Sequence, residues 1–194
     1  TGVDALTHAI ESCVSRKATK LTIDFSLRAA GRLARFLPVA FASPDDAEAR
    51  RECLLGSLEA GIAFTNSSVA LVHGMARPLG AKFGIPHGVS NAVLLEAIMR
   101  FSLPGAPERY ARLAEAMGAV PAGTPLETAR AGFGIVSRLV RELHIPRLRD
   151  LLSREALDAQ LDAMVREAVA SGSPANNPRP ASPEEIASLY GEAF

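Results

Sequence analysis

Three of the four histidines in this sequence lie beside other groups that can bind a metal ion. Asp4 and His8 are four residues apart, so in a helix they share one face and lie a single turn from each other. A carboxylate oxygen and an imidazole nitrogen on such a turn could reach one ion together. The spacing therefore predicts half of a metal site, whose other ligands must come from elsewhere in the chain.

The second pair of candidate ligands is His73 and His87, in a segment of the chain that contains four glycines between residues 71 and 88. His73 lies in an apolar run that is typical of a helix. His87 follows Pro86, where a new helix can begin because proline is tolerated in the first turn. The glycines leave little side-chain bulk around both histidines, so that helices or a bound ligand can approach closely.

One aspartate and three histidines offer one oxygen and three nitrogens, with no thiolate. Such a set suits a borderline divalent ion such as Fe²⁺ or Zn²⁺ rather than a structural, cysteine-rich zinc site. Three or four protein ligands also leave a coordination position for a substrate oxygen. The pattern therefore favours a catalytic metal site over a structural one.

These motifs resemble the metal-binding half of the iron-containing (group III) alcohol dehydrogenases. The resemblance rests on residues 2–11 (GVDALTHAIE), 72–81 (VHGMARPLGA) and 86–89 (PHGV). Residues 177–180 (NPRP), followed by an acidic helix start and Leu189-Tyr190, also resemble the C-terminal end of that family. The resemblance therefore extends over the length of the chain.

The resemblance implies that the metal ligands are Asp4, His8, His73 and His87, with Fe²⁺ as the first choice of ion and Zn²⁺ as the alternative. It implies an NAD(P)-dependent enzyme in which the ion lowers the pKa of an alcohol, so that hydride can pass to the nicotinamide. A protein of this kind needs no strong base, and no residue is assigned as one. The substrate would be a small alcohol or aldehyde.

The nucleotide-binding domain of that family precedes its metal-binding helices. This chain begins inside the first metal motif and contains no glycine loop that could cradle a phosphate. We therefore expect residues 1–194 to be a helical, metal-binding catalytic domain from which the N-terminal nucleotide-binding domain is absent. Cofactor-binding residues cannot be assigned in it, and the fragment alone is expected to be inactive.

Three further positions match the substrate pocket of the family. Phe64, nine residues before His73, matches an aromatic residue that lines the pocket, and Ser173 lies near a cysteine that some members have there. Arg77 stands where some members carry a histidine that helps to relay the substrate proton. Arginine stays protonated near neutral pH. Either solvent then carries the proton, or Arg77 attracts an anionic group of substrate or cofactor, or it forms a structural ion pair.

Two other ionisable residues have a less specific pattern. Glu11, three residues after His8, could orient an imidazole from behind the metal site, or it could cap a helix or form a salt bridge. His144 lies at a predicted helix end, where a cation suits the helix dipole, and a structural role is favoured.

Length and composition exclude several classes of protein. A chain of 194 residues suits one domain. Its 21 basic and 21 acidic residues balance, so it has no excess of positive charge that would favour binding to nucleic acid or an anionic membrane. No window reaches the length of a transmembrane helix.

Cys13 and Cys53 lie in apolar helical patterns, where free thiols are ordinary. With no signal peptide in view, we expect a cytoplasmic protein, and a homodimer is the commonest symmetric assembly.

The elements that must position these residues have the patterns of helices, with few strand signals. The sequence predicts an all-α, multi-helix domain like the C-terminal helical half of the dehydroquinate synthase-like and iron alcohol dehydrogenase fold. A helix that ends at Leu37, before Pro38, precedes a helix whose apolar face is Leu54, Leu55, Leu58, Ile62 and Phe64. A break at residues 66–68 precedes the helix of His73. The other helices are predicted over residues 4–15, 86–101, 107–117, 125–143, 153–170 and 182–193.

Two alternatives to the alcohol dehydrogenase remain. A zinc-dependent polyol dehydrogenase or a dehydroquinate synthase-like lyase would have a related fold, although residues 72–80 resemble the alcohol dehydrogenase branch more closely. A non-catalytic helical interaction domain would keep the helices but would have no need for clustered aspartate and histidine side chains.

Overall fold

The computed structural model describes all 194 residues, which form nine α-helices and no β-strand. The prediction of an all-α domain is therefore confirmed. Short 3₁₀ turns lie at Leu103–Gly105, Leu148–Asp150 and Ser173–Asn176. The helices are α1 (Gly2–Val14), α2 (Lys20–Ala42), α3 (Ala47–Ser67), α4 (Leu71–Phe83), α5 (His87–Ser102), α6 (Pro107–Ala116), α7 (Pro125–Glu142), α8 (Arg154–Ala170) and α9 (Pro183–Ala193).

Helix starts follow local capping signals in the sequence. At five of them a side-chain oxygen of the capping residue accepts a backbone N–H from the first turn, which satisfies a donor that the helix itself cannot pair. Proline occupies the first position of α6, α7 and α9, where its missing N–H costs no hydrogen bond. The capping residues are Thr19, Asp46, Thr124, Ser153 and Ser182.

The predicted end of α2 at Leu37 is wrong. The helix continues through Pro38 to Ala42, and the N–H of Ser43 donates to the carbonyl of Val39 at 2.8 Å. Proline removes one hydrogen bond from a helix, but here it lies within the last turns, where few bonds remain to be disturbed. The following residues therefore keep the helical path.

The predicted apolar face of α3 is also wrong, except at Phe64. Leu54 and Leu58 are 71% and 60% exposed, and Leu55 and Ile62 are partly exposed as well. The buried face of α3 consists of small residues instead. A Cβ atom added at Gly56 would lie 2.9 Å from Cγ of Leu33, so small residues allow α3 to lie close against α2. The buried residues of α3 are Ala49, Gly56, Ala60, Ala63 and Ser67.

The break predicted at residues 66–68 lies two residues later, at 68–70, because α3 continues to Ser67; the two helix axes bend there by 102°. Ser68 has a left-handed φ of 71°, which turns the chain sharply. The amide of Asn176 donates to Oγ of Ser68 at 3.1 Å and to the carbonyl of Val69 at 3.0 Å. These bonds hold the turn that directs α4, with His73 in its first turn, towards α1. No single helix is long and apolar enough to cross a membrane; α3 and α4 meet that test only when taken together.

Tyr190 of α9 fixes the other side of α4. Its ring is fully buried, and its hydroxyl donates to the carbonyl of Met75 at 2.6 Å. We expect Tyr190→Phe to lower the free energy of unfolding by about 1–2 kcal/mol, because a buried carbonyl loses its side-chain donor. Urea unfolding monitored by circular dichroism measures this change. An unchanged unfolding midpoint would contradict the assigned role of this bond.

Candidate metal centre

The side chains of Asp4, His8 and His73 converge on one point. One ligand atom from each lies within 4.8 Å of the others. Helix α1 contributes Asp4 and His8 from adjacent turns, and α4 contributes His73. The imidazole of His8 stacks on that of His73 with ring centroids 4.3 Å apart, and Nε2 of His73 lies 3.6 Å from Oδ1 of Asp4. The structure thus brings three of the four predicted ligands together.

His87, in the first turn of α5, lies at the open side of this group. Its Nε2 is 3.9 Å from Oδ1 of Asp4, its ring centroid is 5.5 Å from that of His73, and its side chain is 50% exposed. A Cβ atom at Gly88 would lie 3.3 Å from Cβ of Asp4. The absence of a side chain at residue 88 therefore lets α5 come close to α1, which places His87 beside the other three.

The Nε2 atom of His73 has no hydrogen-bond partner. His73 is 2% exposed, and its Nε2 atom is buried without any hydrogen bond, although it faces the carboxylate of Asp4. A buried polar atom without a partner is costly and rare. A divalent ion among one oxygen and several imidazole nitrogens would satisfy it, and the donor set suits Fe²⁺ or Zn²⁺. The residues present therefore fit a metal ion.

Glu11 supports His73 from the opposite side. Its Oε2 atom lies 2.7 Å from Nδ1 of His73, and its carboxylate also accepts backbone N–H groups at the start of α4. The sequence left two roles open for this residue, beside an imidazole or at a helix end. The structure shows contacts of both kinds.

Asn91 was missed by the sequence analysis. It is fully buried on α5, and its Nδ2 atom lies 2.6 Å from Oδ1 of Asp4 and 3.0 Å from Nε2 of His87. The amide thus links two of the predicted ligands. The available signal was the spacing of four residues between His87 and Asn91, which places both side chains on one helix face.

The three predicted substrate residues lie in two places. The ring of Phe64 stacks on that of His8 with centroids 4.2 Å apart, so Phe64 forms a wall of the metal-ligand group. Nη1 of Arg77 donates to Oγ of Ser173 at 3.0 Å, so these two residues contact each other. Neither Arg77 nor Ser173 forms a hydrogen bond with the four predicted ligands. Arg77 is exposed, and its side chain bonds to Ser173 rather than to a carboxylate, so the structure does not form the structural ion pair.

His144 lies outside the site, just beyond the end of α7 at Glu142. It has a left-handed φ of 52°, and its ring meets Phe41 edge-on at 5.6 Å. The fourth histidine of the chain therefore serves as an internal control for experiments on the other three.

Burial and mutual contact perturb the site's ionisation. Burial, followed by the charge of His73, lowers the pKa of His8 to about 4. Burial also opposes protonation of His73, but the nearby carboxylate of Asp4 and the hydrogen-bonded carboxylate of Glu11 outweigh it and raise the pKa of His73 to about 9. Burial raises the pKa of Asp4, yet the neighbouring His73, followed by the other groups around it, brings it down to about 2.

The metal-free protein is expected to be most stable near the ordinary histidine pKa of 6.5. The unfolded chain protonates His8 near pH 6.5 and the folded chain near pH 4, so stability is lost as the pH falls through this window. The raised pKa of His73 has the opposite effect: its contribution is complete below pH 6.5 and is lost as the pH rises towards 9. Each change is on the order of 1–3 kcal/mol, because His8 is only partly buried and the groups interact.

Urea unfolding in a chelator across this pH range tests the expectation. His8→Gln should reduce the loss of unfolding free energy below pH 6.5, whereas His144→Asn should leave the dependence on pH unchanged on both sides of pH 6.5. An acidic side that persists in His8→Gln would show that other groups cause it.

Comparison with known proteins identifies the family. A family model described as "Fe-containing alcohol dehydrogenase family, C-terminal" matches residues 1–194. The chain is 41% identical over 197 residues to lactaldehyde reductase of Escherichia coli (strain K12) and 38% identical over 196 residues to 1,3-propanediol dehydrogenase of Klebsiella pneumoniae. Each match covers 100% of this chain and 50% of the relative. The chain thus spans about half the length of the curated relatives it matches.

Solved structures agree with this assignment. A crystal structure of 1,3-propanediol oxidoreductase superimposes with a TM-score of 0.95 at 38% identity, over 100% of this chain and 50% of the other. The alcohol dehydrogenase of Oenococcus oeni gives a TM-score of 0.94 at 30% identity with the same coverage. The chain therefore belongs to the iron-containing alcohol dehydrogenase family and corresponds to its C-terminal region.

Proposed function

We propose that this chain is the metal-binding catalytic domain of an NAD(P)-dependent alcohol dehydrogenase that interconverts small alcohols and aldehydes. The observation that carries the proposal is the buried Nε2 atom of His73, which has no partner and faces Asp4 and His8. Membership of the iron-containing family supports it. A non-catalytic helical domain would have no reason to bury such a nitrogen beside a carboxylate.

The proposed ligands are Asp4, His8, His73 and His87, with Fe²⁺ as the first choice and Zn²⁺ as the alternative. When bound, such an ion lowers the pKa of an alcohol and polarises the carbonyl of an aldehyde. Asn91 would orient two of the ligands, since its amide contacts both Asp4 and His87. The half-exposed ring of His87 marks the side from which substrate would enter.

The chain's own residues would shape the substrate pocket around this group. Phe64 covers one face of the His8 ring and keeps water from it. We propose Arg77 and Ser173 as further substrate-binding residues. The guanidinium of Arg77 has no carboxylate partner, so it remains free to attract an anionic group of substrate or cofactor. Because Arg77 cannot accept a proton, solvent would carry the proton of the alcohol.

We further propose that a separate nucleotide-binding domain supplies NAD(P). The curated relatives are twice as long as this chain, and no phosphate-cradling glycine loop occurs within it. The names of those relatives refer to 1,3-propanediol and lactaldehyde, which are small and aliphatic. We therefore propose a short aliphatic alcohol or aldehyde as the substrate of this protein.

The test is the oxidation of NADH and NADPH by the full-length, Fe²⁺-loaded protein with lactaldehyde and propionaldehyde as substrates. Metal-dependent oxidation that is lost in Asp4→Asn would support the proposal. Absence of oxidation with either nucleotide, while the protein holds one equivalent of metal, would favour a lyase of related fold. Absence of metal and of activity would favour a non-catalytic domain.

A further inference from the structure

We infer that Glu11 is a positioning residue of this site: its buried carboxylate sets the tautomer of His73 and ties the start of α4 to α1. The inference rests on the proposed function, because His73 is one of the proposed ligands. It adds a residue that touches no ion and yet determines how one ligand is presented.

Three backbone N–H donors and the Nδ1 atom of His73 converge on the carboxylate of Glu11, which is 3% exposed. Oε2 lies 2.7 Å from Nδ1 of His73, 2.9 Å from the backbone nitrogen of Ala70 and 3.4 Å from that of His73. Oε1 lies 2.5 Å from the backbone nitrogen of Val72. An ionised carboxylate only accepts hydrogen bonds, so it matches the three backbone N–H groups and favours an Nδ1 atom that carries a hydrogen.

Helix α4 lacks a cap from its own sequence. Its capping position is Ala70, which has no side-chain oxygen. Glu11 takes that place from a different helix, and its negative charge lies at the helix end where the dipole favours an anion. Asp4, His8 and Glu11 follow one another at intervals of four and three residues, so they share a face of α1. One face of α1 thus carries two proposed ligands, Asp4 and His8, and the side chain that positions a third, His73.

The carboxylate also selects which nitrogen of His73 is free. A neutral imidazole has one nitrogen that donates and one that accepts. Oε2 of Glu11 lies 2.7 Å from Nδ1, within hydrogen-bond distance, whereas Oδ1 of Asp4 lies 3.6 Å from Nε2, so the hydrogen of the neutral ring belongs on Nδ1. Nε2 then keeps its lone pair and points towards Asp4, where it has no hydrogen-bond partner. Glu11 therefore leaves His73 in the only tautomer that can bind an ion at Nε2.

Glu11→Gln tests the inference with a side chain of the same size. If the amide nitrogen of the glutamine faces His73, it donates to Nδ1 and so favours the tautomer with the hydrogen on Nε2. If it faces Val72 instead, two N–H groups point at each other. We expect the Kd for Zn²⁺ or Co²⁺ to rise by about 10- to 100-fold, as for other residues that support metal-bound histidines. The visible absorption of bound Co²⁺ should change as well, because the geometry of one imidazole is altered.

Tyr190→Phe is the matched control, because it loosens the same helix α4 through the carbonyl of Met75 without touching His73. Its Kd should stay within about twofold of that of the unchanged protein, even where its loss of unfolding free energy equals that of Glu11→Gln. An equal rise of Kd in both variants would reduce Glu11 to a purely structural role. An unchanged Kd in Glu11→Gln would overturn the inference outright.

A second measurement needs no metal. Nitrogen-15 NMR of histidine side chains, recorded at rising pH until His73 is neutral, distinguishes the two neutral tautomers. The unchanged protein should show Nδ1 protonated and Nε2 free, and Glu11→Gln should show a mixture. A mixture already in the unchanged protein would overturn the inference, whereas failure of that protein to bind metal would instead overturn the proposed function.

Discussion

His73→Ala is expected to abolish stoichiometric metal binding. The residue supplies the only buried, unpartnered imidazole nitrogen of the site, and α4 has no other side chain that could replace it. Loss of a residue that merely supports a ligand weakens metal binding by about 10- to 100-fold, so loss of the ligand itself should exceed the upper end of that range. Elemental analysis of anaerobically purified protein and a chelator competition assay measure the effect.

The control for this prediction is His144→Asn. His144 is the one histidine outside the site, and asparagine tolerates its left-handed backbone conformation better than most residues. This variant should hold one equivalent of metal with unchanged affinity. Retention of one equivalent by His73→Ala would show that the ion is bound elsewhere and would contradict the proposed ligand set.

His87 should behave differently from His73. It is half exposed and lies at the edge of the ligand group, whereas His73 is buried at its centre. If both contribute ligands as proposed, His87→Ala should weaken metal binding less than His73→Ala does. Comparing the loss of metal affinity in the two variants would therefore show which of the two histidines is held more firmly in place before the ion binds.

The helices and the candidate ligands could be predicted because their signals are local. A spacing of four residues between Asp4 and His8 is enough to place both on one turn, whatever the rest of the chain does. Capping residues and prolines mark most helix starts for the same reason. The grouping of residues 4–8 with residues 73–87 came from family resemblance, since nothing local in either motif specifies the other.

The features that sequence analysis missed depend on packing between helices. Leu54 and Leu58 look like core residues, but the face of α3 that meets α2 is selected by close approach and therefore by small residues. Asn91 has an ordinary polar side chain until α5 places it between Asp4 and His87. The partner of Arg77, Ser173, lies 96 residues further along the chain. Such pairings become visible only once the helices are assembled.

Two glycines of α7, Gly132 and Gly134, allow the effect of packing between helices on stability to be measured. Gly132 is buried against α6, and a Cβ atom added there would lie 2.5 Å from Cβ and 2.9 Å from Cα of Ala114. Gly134, two residues later, is exposed and would meet nothing within 4 Å. Helix propensity favours alanine by about 1 kcal/mol at either position. Only the packing against α6 distinguishes the two.

We therefore expect Gly134→Ala to raise the free energy of unfolding by about 0.5–1 kcal/mol, which is the propensity gain alone. Gly132→Ala should lower it by about 1–3 kcal/mol, because the backbone of α6 must move to admit the new methyl group. Urea unfolding of both variants, side by side, measures the difference. A gain in stability for both would mean that α6 and α7 can separate freely, and that glycine at position 132 is not required by the helix crossing.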